Sequence, residues 1–400
     1  APPPATAPGP LGRFSWATPR VAAVLEEALA AERPRDEDGT WLDEVATRTS
    51  AALRGYKLQA KLLDRQLTPN VALLRFQGSD SLTVRAVERC RNELLTTHGL
   101  AVSRVAAEPG AVVVAIERPS RAVVSLPRVL ATREVDDVTT RVNGRLVVGV
   151  RERDASTLYL RAGSVHAPHT LIAGSTGSGK SVLLQNLILD VAMTNTPRAA
   201  TLTIIDPKRV DYAVFKGLPH LDGEIIVDRD RAVARLEALV EEMEERYRRF
   251  ESLPGTVRDL TTYNRRVSEA ERLPVRWVVH DEFADWMLVE EYKSAVQDKV
   301  ERLGVKARAA GIRLVFAAQR PEDRVTPVQL RVNLGNRLVL RVESEGTSVI
   351  ALNAPGAERL MGKGHLAARL EGEPELVFAQ VPLLDDSVLE RLVDALRADG

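Results

Sequence analysis

Cysteine is almost absent from this chain. Its 400 residues include one, Cys90, so no intramolecular disulfide can form and a disulfide-stapled secreted scaffold is excluded. A reducing, cytoplasmic compartment is the expectation. Net charge is lacking too. The 55 basic and 55 acidic residues cancel, so no global field draws the chain to nucleic acid, and any surface for a polyanion has to be local. Long apolar runs are also missing. The stretch 182–192 is too short to span a bilayer and is interrupted by Gln185, Asn186 and Asp190, and nothing resembles a signal peptide, so no membrane segment is expected in this chain. His220, His280 and His365 have no metal-like spacing. The first residue is Ala1 rather than Met, which fits a processed chain or a piece of something longer.

What is present is length, enough for two or three domains with their own cores. Residues 1–12, APPPATAPGPLG, are rich in proline and glycine and read as a tail or linker. Val21, Val24, Leu25 and Leu29 then mark one helical face, and the charged ERPRDEDG (32–39) breaks it. Helix and strand signals alternate from about 40 to 127 in a small α+β module: helices near 41–53 and 82–95, strands near 71–76 and 111–117. Residues 128–165 read as a transition with short strands, RLVVGV and TLYLR. Beyond it come five short apolar runs, Thr170–Ala173, Thr201–Asp206, Arg276–Asp281, Arg313–Ala318 and Arg337–Val342. Such runs are expected of parallel strands covered on both faces. Between them, Val233, Leu236, Val240, Met243, Tyr247 and Phe250 form a helical core stripe, with Glu242/Arg246 and Glu244/Arg248 as i,i+4 pairs on the exposed side.

The segment GSTGSGKS, 174–181, follows the first of these runs and opens a helix. It has the G-x-x-x-x-G-K-S spacing that cradles nucleotide phosphates. Gly174, Gly177 and Gly179 let the backbone turn, so that Gly174, Ser175, Thr176, Gly177, Ser178, Gly179, Lys180, Ser181 and Val182 form the expected nucleotide-binding set. Lys180 is expected to reach the β- and γ-phosphates of ATP, and Ser181 to ligate Mg²⁺. A second apolar run ends in Asp281-Glu282, where Asp281 is expected to hold Mg²⁺ and Glu282 to polarise the attacking water. Gln319 ends the next run and is either a γ-phosphate sensor or an ordinary strand-end amide. Asp206-Pro207-Lys208 reads as a turn.

Taken in order, HTLIAGSTGSGKSVLLQNLI, IIDPKRVDYAVFKGLPHL, LPVRWVVHDEFADWM, KARAAGIRLVFAAQRP and GAERLMGKG resemble the FtsK/SpoIIIE family of DNA-translocase motors. The resemblance is strong over about 166–381 and reaches back more weakly to about 50. It implies an α/β fold, a RecA-like P-loop ATPase core with a parallel sheet, preceded by a smaller α+β domain. The expected division is a tail and linker with one short helix at 1–39, the small domain at 40–150, the motor at 151–385 and a C-terminal helix at 386–400.

The resemblance further implies a hexameric ring around double-stranded DNA, with ATP bound between subunits. Arg308 then looks like the arginine that completes a neighbour's site, while Arg320 is similar to a residue on a loop facing DNA. The segment ESEGTSV, 343–349, departs from the family, placing Glu345 near a lysine position; Arg324, Arg331 and Arg337 are candidates to compensate. The absence of a membrane anchor or a winged-helix module suggests a bare motor, or the motor half of a larger protein, leaving room for accessory or nuclease subunits. PHLDGEI and MGKGHLAARLEGEP look somewhat like translocases of restriction systems that act on phosphorothioate DNA. Two other functions stay open: an ATPase that moves protein, and a nucleotide-gated assembly scaffold.

Overall fold

The computed structural model describes residues 13–32, 38–119, 122–134, 142–161, 167–319 and 333–400. Its contacts divide the chain into two units: 1–30, 125–149 and 157–400 in one, 31–124 and 150–156 in the other.

The smaller unit is a four-stranded antiparallel sheet in the order β1-β2-β4-β3. Its strands are β1 (Leu62–Leu67), β2 (Val71–Gln77), β3 (Val102–Glu108) and β4 (Ala111–Glu117). β2 and β4 lie centrally and read as near-continuous apolar runs, which is why they are legible in the sequence. β1 and β3 lie at the edges and are more polar, with Asp64, Arg65 and Gln66 on one and Ser103, Arg104 and Glu108 on the other. Val45, Leu53, Leu74, Phe76, Leu94 and Val114 pack the helices Asp38–Gly55 and Arg91–His98 onto this sheet. The single helix expected near 82–95 is two, Val84–Arg89 and Arg91–His98, which meet at Cys90.

The larger unit contains a nine-stranded sheet in the order β6-β5-β13-β12-β11-β7-β10-β9-β8. Five strands are mutually parallel: β7 (Thr170–Ala173), β8 (Ala200–Ile205), β9 (Val275–His280), β10 (Ile312–Ala318) and β11 (Asn336–Leu340). They are the five apolar runs of the sequence. The sheet then continues through β12 (His365–Arg369), antiparallel to β11, and β13 (Val377–Gln380), antiparallel to β12. β5 (Arg145–Arg151) and β6 (Thr157–Arg161) complete it. The sheet is therefore mixed and larger than the parallel core that periodicity alone suggests. Because β5 is hydrogen-bonded into this sheet, most of 142–161 folds with the larger unit.

One face of the parallel strands is covered by the helices Arg229–Ser252 and Glu290–Lys306. Leu236, Leu239 and Met243 meet Val296, Val300 and Leu303 over Val278, Leu314 and Phe316. Arg246 corrects the expected exposed pairing. Its side chain is buried, bonded to Glu242 and, at 2.6 Å, to the Ala310 carbonyl. Glu244 pairs instead with Arg302, and Arg248 with Glu245.

The strand order places β7 between β10 and β11, which enter the sheet on opposite sides of it. That is a topological switch point, and in open parallel sheets ligands bind outside the carboxyl ends of the strands there. No described helix is long and apolar enough to cross a membrane.

Candidate active site

Every motif residue of the site leaves the carboxyl end of a parallel strand. β7 is buried throughout and runs directly into the loop 174–179. Backbone conformation dictates its glycines. Gly177 and Gly179 have φ of +74° and +105°, the left-handed region that costs a side chain roughly 1 kcal/mol or more. A Cβ at Gly174 would lie 2.5 Å from Ser178 Oγ, and one at Gly179 would lie 2.7 Å from the Gly364 amide nitrogen. The loop is pinned from outside: Gly174 N donates to Ala318 O, Ser175 N to Arg341 O, and Gly364 N to Ser178 O at 2.7 Å. Helix Lys180–Thr194 follows, directing its positive end at the loop. Val182 sits in its first turn.

Lys180 is buried and bonded to both Asp281 and Glu282, the latter at 3.0 Å. These carboxylates follow β9, and Glu282 takes a left-handed turn, φ 46° and ψ 34°, that folds its side chain back into the site. Glu282 Oε1 also accepts from Gln319 Nε2 at 2.7 Å and Lys208 Nζ at 2.6 Å. Gln319 follows β10, and its Oε1 accepts the Thr176 hydroxyl. Four groups singled out from sequence, Lys180, Asp281, Glu282 and Gln319, thus converge within hydrogen-bonding distance.

Sequence reasoning missed three further residues, all on the segment after β8. Lys208 binds Glu282; Tyr212 donates to Asp281 Oδ2 at 2.9 Å; Asp211 Oδ2 accepts from Ser181 Oγ at 2.8 Å. Two adjacent buried carboxylates facing one ammonium are unbalanced by a charge, and Lys208 supplies the second cation. Burial opposes the charge on Lys208, but the bond to Glu282 and the negative charges of Glu282, Asp281 and Asp211 together outweigh it, and its pKa is raised. Burial raises the Asp206 carboxyl, with Asp281 and Asp211 adding to the rise. Burial likewise holds the Tyr212 hydroxyl well above its ordinary value, reinforced by Asp281. The only sequence signal was the cluster of charges in DPKRVDY, directly after an apolar run.

The remaining candidates lie elsewhere. Arg308 follows helix Glu290–Lys306 and precedes β10, at the amino end of the strands. At ~3.3 Å per residue, the seven-residue β10 separates it from Gln319 by roughly 20 Å. Arg337 bonds the Ile350 and Ala351 carbonyls at the end of helix Glu345–Leu352. Glu345 is exposed in the first turn of that helix, behind the cap Ser344. Arg320, Arg324 and Arg331 lie outside the described residues.

The site has the features of a phosphate and cation site. The buried Ser178 Oγ, Glu282 Oε2 and Asp206 Oδ2 have no hydrogen-bond partner, and such atoms are costly unless a ligand meets them. Among the described residues no cluster of three or more His, Cys, Asp or Glu side chains could hold a metal ion alone.

His280 sits behind this site on β9, its ring bonded to the Asp281 carbonyl and the Tyr292 hydroxyl, both at 2.9 Å. Burial pushes its pKa down to about 4, with the neighbouring Asp281 opposing the shift. An unfolded histidine binds its proton near pH ~6.5, so the unfolded state binds more protons between those values and stability is lost as pH falls through that window. One such group contributes a slope of about 1.4 kcal/mol per pH unit. Urea unfolding of wild type and His280→Gln should differ in this slope by about half a proton at pH ~6.5, rising towards one at pH ~5; equal slopes would show that His280 takes up its proton in the fold as readily as in the unfolded chain.

A sequence model of the FtsK/SpoIIIE family matches residues 128–323. The chain is 32% identical over 362 residues to the DNA translocase SpoIIIE of Bacillus subtilis (strain 168), covering 88% of this chain and 45% of that protein. It is 31% identical over 384 residues to a DNA translocase FtsK of Caldanaerobacter subterraneus subsp. tengcongensis, covering 95% and 52%. The chain thus spans about half the length of these curated relatives. Among solved structures, the pCW3 conjugation coupling protein TcpA, a monomer form with ATPγS, superposes with a TM-score of 0.61 at 20% identity, over 89% of this chain and all of that one. The cytoplasmic domain of the type VII secretion ATPase EccC of Thermomonospora curvata superposes with a TM-score of 0.57 at 25% identity, over 69% of this chain and 34% of that one. The likeness to TcpA shows the fold.

Proposed function

Because the chain belongs to the FtsK/SpoIIIE family through its residues 128–323, we propose that it is an ATP-driven motor that moves double-stranded DNA. The observation that carries this reading is the convergence of Lys180, Asp281, Glu282 and Gln319 at the switch point of the sheet, in a chain whose named relatives are DNA translocases. ATP would lie on the loop 174–179, its phosphates against the amino end of helix Lys180–Thr194. Lys180 then exchanges its carboxylate partners for the terminal phosphates. When bound, Mg²⁺ neutralises charge on the β- and γ-phosphate oxygens; Ser181 and Asp281 are the side chains that would hold it.

Glu282 accepts a proton from water as the water oxygen attacks the γ-phosphorus, and the bridging oxygen leaves on ADP with its electron pair. Gln319, bonded to Glu282 and Thr176 at once, orients that water. The distance between Arg308 and its own loop supports a role at a neighbour's nucleotide, which requires an adjacent copy; the family's form would supply it in a ring of six. Arg320, Arg324 and Arg331 would meet DNA phosphates, contacts that position without reading sequence.

The experiment is ATP turnover with and without linear duplex DNA, which this reading expects DNA to raise. A second reading, movement of a protein, draws on the likeness to EccC and on the exposed Glu345; a polypeptide in place of duplex would then be the stimulant.

A further inference from the structure

Lys208 has no part in the reaction as derived, yet its ammonium lies 2.6 Å from Glu282 Oε1. That oxygen accepts three donors, from Lys180, Lys208 and Gln319, while Oε2 is buried without a partner. A carboxylate oxygen offers two lone pairs, so Oε1 is fully taken up by its three donors, and Oε2 is closed to solvent; neither oxygen of the resting carboxylate is open to a water molecule.

The two lysines differ in what removes them. Lys180 stands on the phosphate loop, so nucleotide draws it away. Lys208 enters from the rim, with its side chain 43% exposed against 2% for Glu282. It rides on a short strap whose ends are fastened: Lys208 N donates to Asp206 Oδ1, Tyr212 OH to Asp281, and Gln185 Nε2 to the Asp211 carbonyl. Between the fastenings, Arg209 takes a left-handed φ of 65° and Val210 is 73% exposed.

We infer that Lys208 is a latch on Glu282, which holds the carboxylate with Oε1 occupied and Oε2 turned away from water until the tip of the 206–212 strap is displaced. Lys208 is thus a positioning residue that restrains turnover in the resting enzyme. The inference rests on the reading of Glu282 as the base. Removing the latch leaves the nucleotide cradle intact, so it separates rate from binding.

The test is Lys208→Ala, with Lys208→Arg as the conservative control and full-length chain throughout. Turnover without DNA should rise at least about threefold in Lys208→Ala, the effect of losing one charge-assisted bond to the base. The affinity for ATPγS, read by binding without hydrolysis, should change by less than about twofold, and Lys208→Arg should return turnover to the wild-type level. A fall in turnover with weakened ATPγS binding would overturn the latch in favour of a substrate contact, and unchanged turnover would also overturn it. Glu282→Gln in the Lys208→Ala background separates the two premises. If Glu282→Gln is as active as wild type whichever residue stands at 208, the base assignment fails; if it is inactive while Lys208→Ala alone does not speed turnover, only the latch fails.

Discussion

Glu282→Gln is expected to bind ATP as tightly as wild type and to hydrolyse it at least ~100-fold more slowly, the scale on which positioned general bases act. The amide preserves the length of the side chain but cannot accept a proton from water. It can still receive the Gln319 amide and the two lysines through its carbonyl oxygen, so the loop and the neighbouring strands keep their geometry. Lys180→Ala should fail earlier, at binding, because it removes the cation facing the terminal phosphates and leaves Asp281 and Glu282 buried with one cation between them. Equilibrium binding of ATPγS beside steady-state turnover distinguishes the two variants. Wild-type turnover in Glu282→Gln would mean that another group is the base.

Arg308→Ala is expected to abolish turnover almost completely while leaving ATP affinity close to wild type, since the residue lies at the amino end of β10, far from its own phosphate loop. Trans arginines contribute about 10³-fold or more to turnover in other phosphoryl-transfer enzymes. The turn that presents Arg308 is stiff. Gly311 has φ +78° and its absent Cβ would strike Leu260 at 2.1 Å, while Arg246 and Arg313 bond the carbonyls of Ala310 and Arg308. Arg308→Ala subunits mixed with Glu282→Gln subunits should recover partial activity, because some interfaces then pair an intact Glu282 with an intact Arg308. The yield over mixing ratios measures it; no recovery at any ratio, in assemblies shown to form, would place Arg308 outside a neighbour's site.

How much of this was written in the sequence depends on how local each constraint is. The five parallel strands are legible because strands covered on both faces need uninterrupted apolar runs. The loop 174–181 is legible because φ and close approach leave glycine little competition at fixed positions. β12 and β13 escape because HLAAR and VFAQ are short and acquire their role only by pairing across the sheet. Lys208, Asp211 and Tyr212 escape for a related reason. Their partners stand 30 to 74 residues away, and a charged heptapeptide after a strand looks like any solvated turn. Arg246 shows the reverse error: helical spacing paired it with Glu242 as expected, but not where it would sit, because the carbonyl that draws it inward belongs to Ala310.

Glu345 bears on which polymer is moved. In the first turn of helix Glu345–Leu352 its carboxylate complements the positive helix end, which accounts for an acidic residue there without any reference to a substrate. ATP turnover at saturating nucleotide is therefore decisive, measured without polymer, with linear duplex DNA of two unrelated sequences, and with an unfolded polypeptide. A DNA motor is stimulated by both duplexes alike and not by the polypeptide, and it loses DNA affinity with salt by about 0.9 in log K per log salt for each phosphate neutralised. Stimulation by the polypeptide and indifference to duplex at low salt would contradict that reading.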